Sequence, residues 1–418
     1  VFMYLKDIIR GAIEMKIENK RQWVGELFFL LGTILYITYY FFYIAYYWYV
    51  EKDPTRQIPV QRLFYIGLIC FVVKIILTKY QWKEVIIGAA GAVLMYLCWK
   101  SSGGIDYPAN YLIILAMKDV DLKKVMKAVF ACGFVGLSYG FTWFFMNAPD
   151  KLTTVKDYGR GMIEVRYKFC TWHANTIHLM IMVLIVSFLY AYYKKMKWWA
   201  FAIMFYFNYE FYQLSKSRTA FYCGSAAIIA YFILRYARKI YEFKISLILL
   251  EIGNLVGIFL SIYYGLYSQL TDPTFMRLDQ LITGRLTVAR NCFLGAGIPL
   301  FGSNIGGKVC GYGIYTQAND GYVTELGIVR TLLEYGPIVF GLFCAFMLIA
   351  VWVLYKKGYF GAMVLLEIGF IACGVEAYFP AAYNLKAFVF GLAFYQLMGL
   401  FKGKEKEEKR GKAVNASE

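Results

Sequence analysis

The chain has 418 residues, 60% of them hydrophobic, 20% aromatic and 17% charged, with a mean hydropathy of +0.52. Soluble domains run at ~45–50% apolar and ~25% charged, and here the apolar residues fall in runs close to the ~17–25 that cross a bilayer as a helix. A soluble enzyme, a disordered chain and a secreted disulfide scaffold are excluded. The net charge of +17 lies mostly between the apolar runs, where membrane topology explains it better than nucleic acid does.

Residues before Trp23 form a basic lead with Lys6, Arg10, Lys16, Lys20 and Arg21. No small-residue cleavage site follows its apolar part, so it is expected to stay attached, with the N-terminus in the cytoplasm. The predicted spans are Val24 to Val50, Leu63 to Lys79, Val85 to Trp99, Tyr107 to Met117, Val125 to Met146 and Thr176 to Tyr193. They continue with Trp198 to Leu214, Thr219 to Arg235, Ile245 to Tyr267, Gly336 to Tyr355, Tyr359 to Ala377 and Tyr383 to Phe401. This predicts an all-α polytopic membrane protein of about twelve helices, one integral domain over 1–401 with both termini inside. The connectors Lys79 to Lys83, Lys118 to Lys127, Lys194 to Lys197, Arg235 to Lys244 and Lys356–Lys357 are basic, as cytoplasmic loops are. The tail over 402–418 has mixed charge and nothing apolar to bury, and is expected to be a disordered cytoplasmic segment.

Two predicted extracytoplasmic loops, Asn147 to Asn175 and Ser268 to Glu334, are too long for simple turns. The second carries Phe293, Leu294, Phe301, Tyr312 and Tyr315, and is expected to be ordered, with short helices on the membrane. The 9 Cys are scattered and the chain has 2 His, with no CxxC pair; no metal site is expected. Cys292 and Cys310 share one polar loop and form a candidate disulfide pair.

The outer loops should be poor in basic residues, yet they hold Arg160, Arg166, Arg218, Arg277, Arg285 and Arg290. A guanidinium fork matches phosphate bidentately and stays charged. Converging there, these arginines point to an anionic headgroup, most naturally a lipid-linked pyrophosphate. Scattered solvated charge is the plain alternative. Arg218, in the tight turn Ser215-Lys-Ser-Arg218, has no room to be free in solvent. Arg285 follows Thr283-Gly284 and is expected to open a helix.

His173 has the proton affinity of a general base; the reading ranked ahead of it is that His173 and Asn175 cap the helix that follows, and His178 is read as structural. Asp320, in Gln317-Ala-Asn-Asp320-Gly-Tyr322, is placed to accept a proton from a sugar hydroxyl, or to make an Asx turn. Glu325 and Glu334 are weaker candidates. Trp172, Tyr315 and Tyr322 are candidate sugar contacts.

Six pieces occur in order: Arg166 to Asn175 (R-x6-H-A-N), Ser215 to Ala220, Thr283 to Arg285, Pro299 to Gly302, Asn319 to Tyr322 and Glu334 to Pro337. Together, over Arg160 to Gly341, they resemble the O-antigen polymerase and ligase superfamily. The resemblance implies a GT-C-like, metal-independent glycosyltransferase without cofactor, in the bacterial cytoplasmic membrane. Its Wzy-like polymerase branch joins undecaprenyl-diphosphate-linked repeat units into a surface polysaccharide such as a capsule or exopolysaccharide, with a flippase and a chain-length regulator as implied partners. Its ligase branch moves a finished glycan to another acceptor. The resemblance carries a diphosphate-binding role to Arg166, Arg218 and Arg285. Ligases commonly show His-Asn where this chain has Asn319-Asp320, which favours the polymerase branch with Asp320 as base. Rival readings are a lipid-linked oligosaccharide flippase and a non-catalytic assembly subunit. Against the flippase, no half-repeat is evident and the charges cluster at one face.

Overall fold

The computed structural model describes residues 17–45, 54–147, 152–157, 163–169, 171, 173–269, 271–305, 324–376 and 385–400. Over the described residues each predicted span falls mainly on a helix. In chain order these are α1 (Ile17–Ala45), α2 (Pro54–Leu77), α3 (Trp82–Ser102), α4 (Asp106–Ala116), α5 (Leu122–Asn147), α6 (Ala174–Tyr192), α7 (Trp198–Ser215) and α8 (Arg218–Tyr236). A short α9 (Lys239–Glu242) leads into α10 (Lys244–Ile262), which ends in a π turn over Tyr263–Tyr267. Then come α11 (Pro273–Leu281), α12 (Arg285–Ala296), α13 (Gly327–Lys356), α14 (Phe360–Val375) and α15 (Leu385–Leu400).

Seven helices among the described residues are long and apolar enough to cross a membrane: α1, α3, α5, α6, α8, α10 and α13. The predicted span at Tyr107 is an 11-residue helix. At ~1.5 Å per residue it is too short to cross a ~30 Å core by itself.

The elements arrange from the inside out. Helix α6 is central, with 83% of its apolar window buried, whereas α10 buries 6% and faces outward with Ile245, Leu249, Ile252, Val256 and Phe259. Apolar side chains turned outward along a whole helix are what hydrocarbon solvates. Helices α1 and α2 touch through Gly32 and Gly67, where a Cβ on either would press on the other's carbonyl oxygen. Small residues permit that close approach, and packing rather than water exclusion drives helix association in lipid. Around this contact Phe29, Tyr36, Phe64, Phe71 and Phe388 interlock, with ring centroids 5.2–6.2 Å apart.

The basic connectors meet at one end. Arg21 donates to the carbonyls of Ile76 and Leu77 at the end of α2. Lys118 reaches the Lys79 carbonyl and Glu84, and Lys124 pairs with Glu26 at 2.7 Å. Tyr355 donates to the Glu242 carbonyl and Tyr236 to that of Met196. The charge pattern in the sequence therefore corresponds to one face of the bundle.

Two features depart from the sequence reading. The first long loop contains an antiparallel hairpin, β1 (Thr153–Asp157) with β2 (Ile163–Tyr167), in register Thr154 to Arg166 and Val155 to Val165. The second ends earlier than expected, because α13 begins at Gly327 and the expected start at Gly336 is a break within it. Short helices α11 and α12 do occupy that loop.

Candidate functional site

The end of the bundle opposite the basic connectors is organised by the break in α13. Gly336 takes φ 82°, ψ 170°, and Pro337 follows. Proline has no N–H to give the carbonyl four residues back, so the Leu333 carbonyl is released, and the Ser303 N–H takes it at 3.0 Å. Ser101 bonds the Gly302 carbonyl at 2.6 Å and the Cys98 thiol that of Tyr335 at 3.4 Å. Gly302 and Gly336 meet backbone to backbone, with no space for a Cβ on either. The motif pieces Pro299 to Gly302 and Glu334 to Pro337 are thus one structural unit, which fastens the second loop to the bundle.

The turn before α8 is held from below. Helix α7 buries only Phe201, Asn208 and Ser215, one narrow seam. Buried His178 on α6 bonds Ser215 Oγ at 2.9 Å and Asn208 Oδ1 at 3.0 Å. Asn208 donates on to the Phe221 carbonyl and Ser225 Oγ, while Ser215 Oγ accepts the Ser217 N–H. His178 is therefore structural, as expected, and its work is to fix this turn. Lys216 closes α7 with φ 54°. Ser217 Oγ is buried without a hydrogen-bond partner and leaves the first N–H groups of α8 uncapped. Arg218 is the first residue of α8 and is exposed, with no hydrogen bond or ion pair among the described residues. Uncapped amides, the positive end of a helix dipole and an unpaired guanidinium together favour an anion.

Arg285 opens α12 behind Gly284 (φ 80°), as the Thr-Gly-Arg pattern predicts. Asp279 accepts from the amides of Leu286 and Thr287 and so caps that helix. The Arg285 side chain is buried and engaged on three nitrogens. Nη2 donates to Glu376 Oε1 at 2.6 Å and Nη1 to the Val375 carbonyl at 2.8 Å. Nε lies 2.6 Å from Glu325 Oε2, an ion pair without hydrogen-bond alignment. Glu376 follows the last residue of α14, in extended backbone. Glu376 thus ties the start of α12 to the end of α14.

The remaining candidates fall as follows. Arg166 on β2 is buried and pairs through Nε and Nη2 with Glu164 Oε2, at 2.8 and 2.6 Å. Arg290 donates to the carbonyls of Leu266 and Ser268, capping the π turn. Arg277 is exposed. His173 is the N-cap of α6, its Nδ1 accepting the Asn175 N–H at 3.1 Å, so the capping alternative describes its geometry. Arg160, Trp172, Cys310, Tyr315, Asp320 and Tyr322 lie outside the described residues. Cys292 is disulfide-bonded; Cys310, its candidate partner, lies outside the described residues.

Reasoning from the sequence overlooked two groups. Glu376 was absorbed into an apolar run. Arg330 on α13 pairs with Glu334 at 2.5 Å, near Asp106, to which Tyr40 hydrogen-bonds; beside them Tyr107 bonds Thr331. An ionisable residue at the end of a span is the signal that finds both.

A cavity of about 300 Å³ lies instead at the basic end, with Glu84, Lys118, Asp119, Asp121 and Tyr395 in its wall. Its wall carries no arginine, so the anion-binding argument belongs to the opposite end. Among the described residues no group of three or more His, Cys, Asp or Glu is placed to hold a metal ion. No family model, curated protein or solved structure matches the chain.

Proposed function

We propose that this protein is a polysaccharide polymerase of the O-antigen polymerase and ligase type. It joins undecaprenyl-diphosphate-linked repeat units at the outer face of the bacterial cytoplasmic membrane. The observation that carries the reading is the exposed Arg218 at the uncapped start of α8. Among the described residues Arg218 has no hydrogen bond or ion pair, and it stands where the first amides of α8 lack a side-chain cap. A lipid diphosphate seated on α8 is a leaving group whose growing charge this positive end stabilises, a term that supplies several kcal/mol in such sites. Activation resides in the lipid-linked donor, so no nucleotide-sugar site is called for, and no Rossmann or Walker pattern is present.

In this reading the basic end faces the cytoplasm, the chain crosses about twelve times, and both termini lie inside. The disulfide at Cys292 supports the same orientation, because disulfides persist on the oxidising side of that membrane. Arg166 and Arg285 already hold carboxylates, so Arg218 takes the primary diphosphate role. Transfer to a different acceptor, as in a ligase, uses the same donor site. A flippase is the second reading; what favours it is Glu367, buried within the bundle and bonded to Asn254 at 3.0 Å.

The test is reconstitution of the purified protein in liposomes with lipid-linked repeat units. Polymerase action yields longer lipid-linked chains and one released undecaprenyl diphosphate per bond formed. Movement of intact single units across the bilayer, without lengthening, would establish the flippase instead.

A further inference from the structure

The β1–β2 hairpin is inside out for a sheet bathed in water. An antiparallel sheet with one solvated face ordinarily turns its polar residues outward and its apolar ones toward the protein. Here Ile163, Val165 and Tyr167 of β2 are exposed, while Glu164 and Arg166 between them point the other way. Arg166 is 2% exposed, and Glu164 on the same strand holds its guanidinium. The register sets Val155 of β1 opposite Val165, so a fourth exposed apolar side chain joins the same face. These four are 39–75% exposed, and contiguous apolar surface of this kind marks a place where something other than water rests.

Continuity with helix α5 shows what rests there. That helix, one of the seven long apolar ones, precedes the hairpin and turns Val135, Tyr139, Phe145 and Met146 outward, 52–77% exposed. Such a surface is solvated by lipid. Aromatic rings carry it across to the hairpin: Phe141 of α5 meets Phe169 at a centroid distance of 5.1 Å, and Phe169 meets Tyr167 of β2 at 5.7 Å. The strand edges set the depth. A two-stranded sheet leaves N–H and C=O groups unpaired along both edges, and hydrocarbon cannot satisfy them. The hairpin therefore stays out of the bilayer core. At the level of the headgroups its outward face reaches the first acyl carbons while water still reaches its edges, and Tyr167 lies where tyrosines gather.

We propose that the β1–β2 hairpin is a membrane-interface anchor, with Val155, Ile163, Val165 and Tyr167 resting in the headgroup region of the phospholipid leaflet at the arginine end of the bundle. The Arg166–Glu164 pair is turned to the protein and shielded from that leaflet.

The experiment places a nitroxide label at Ile163→Cys or Val165→Cys of the full chain in phospholipid liposomes. Tyr139→Cys on α5 is the lipid reference and Lys195→Cys at the basic end the water reference; labelling of the wild type gives the background from native cysteines. Oxygen, which concentrates in the bilayer, and a water-soluble nickel chelate compete to relax the label. At both hairpin positions the oxygen-to-nickel ratio is expected several-fold above that at Lys195 and below that at Tyr139, as headgroup depth requires. A ratio equal to that at Lys195 would mean that water covers the face and would overturn the anchor. Protection from both relaxants would mean that a second copy of the chain covers it, which overturns the anchor equally. Wild-type protein with a phospholipid carrying a diazirine near the glycerol end of its acyl chain needs no substitution: adducts are expected within 153–167, and adducts on α5 with none there would also overturn it. Neither readout uses transfer activity, so a failed anchor leaves the proposed function standing.

Discussion

Replacing Gly336 by alanine strikes the joint that fastens the second loop to the bundle. Its backbone, at φ 82°, ψ 170°, occupies a region open in practice to glycine alone, and another residue held there costs ~1–3 kcal/mol. An added Cβ would also run into the Leu300 carbonyl and the Gly302 amide. The segment 299–303 would have to withdraw, breaking the 3.0 Å bond from Ser303 N to the Leu333 carbonyl, worth ~0.5–1.5 kcal/mol net. The sum is about 1.5–4.5 kcal/mol, a large share of the ~5–15 kcal/mol that holds an ordinary domain. Gly341 lies on the same helix with nothing within 4 Å of its would-be Cβ. Gly341→Ala should therefore be neutral, or stabilising by up to ~1 kcal/mol through helix propensity. Thermal unfolding in one detergent compares the pair directly. Gly336→Ala should melt several degrees below wild type and Gly341→Ala at or above it. Equal melting of the two variants would refute the joint described here.

Other predictions concern the site and its orientation. His173→Asn keeps an N-cap as good as the original and should retain transfer activity, whereas His173→Ala should cost ~1 kcal/mol of stability; a folded His173→Asn protein without activity would return the imidazole to the chemistry. His178→Ala strands buried Asn208 Oδ1 and takes one of two partners from Ser215 Oγ, at ~1–3 kcal/mol for an unsatisfied group. It should lower both the melting temperature and the rate, since it frees the turn that carries Arg218; unchanged melting would contradict the network. A single added cysteine at Val155→Cys should react with a membrane-impermeant maleimide on intact cells, and one at Lys195→Cys only after lysis. The reverse pattern would invert the topology.

Legibility in the sequence followed the range of the interactions. The helices and the gathering of basic connectors at one end were readable, because apolar runs and loop charge are local properties. The start of α12 at Arg285 was readable for the same reason: Thr283-Gly284 is a local backbone signal, found at φ 61° and φ 80°. The motif pieces around Pro299 and Pro337 could be noticed but not joined, since nothing along the chain tells that the Ser303 N–H fills the gap Pro337 leaves. Glu376 was hidden because its partner Arg285 lies 91 residues earlier and its own neighbours are apolar. The β1–β2 hairpin was overlooked although Ile163-Glu-Val-Arg-Tyr167 alternates as a strand does; the reading there weighed loop length and charge instead. Arg166 looked like an anion ligand because Glu164, two residues away, was not recognised as its counter-ion.

The most direct measurement replaces Arg218 by alanine and by lysine in the native host and, once membrane expression is confirmed, resolves the surface polysaccharide on a gel. A diphosphate seat at the start of α8 predicts loss of the long-chain ladder in Arg218→Ala, partial recovery in Arg218→Lys, and single repeat units still reaching the outer face. An unchanged ladder would contradict the seat, and absence of even single units outside would mean that the protein moves lipid-linked units rather than joining them.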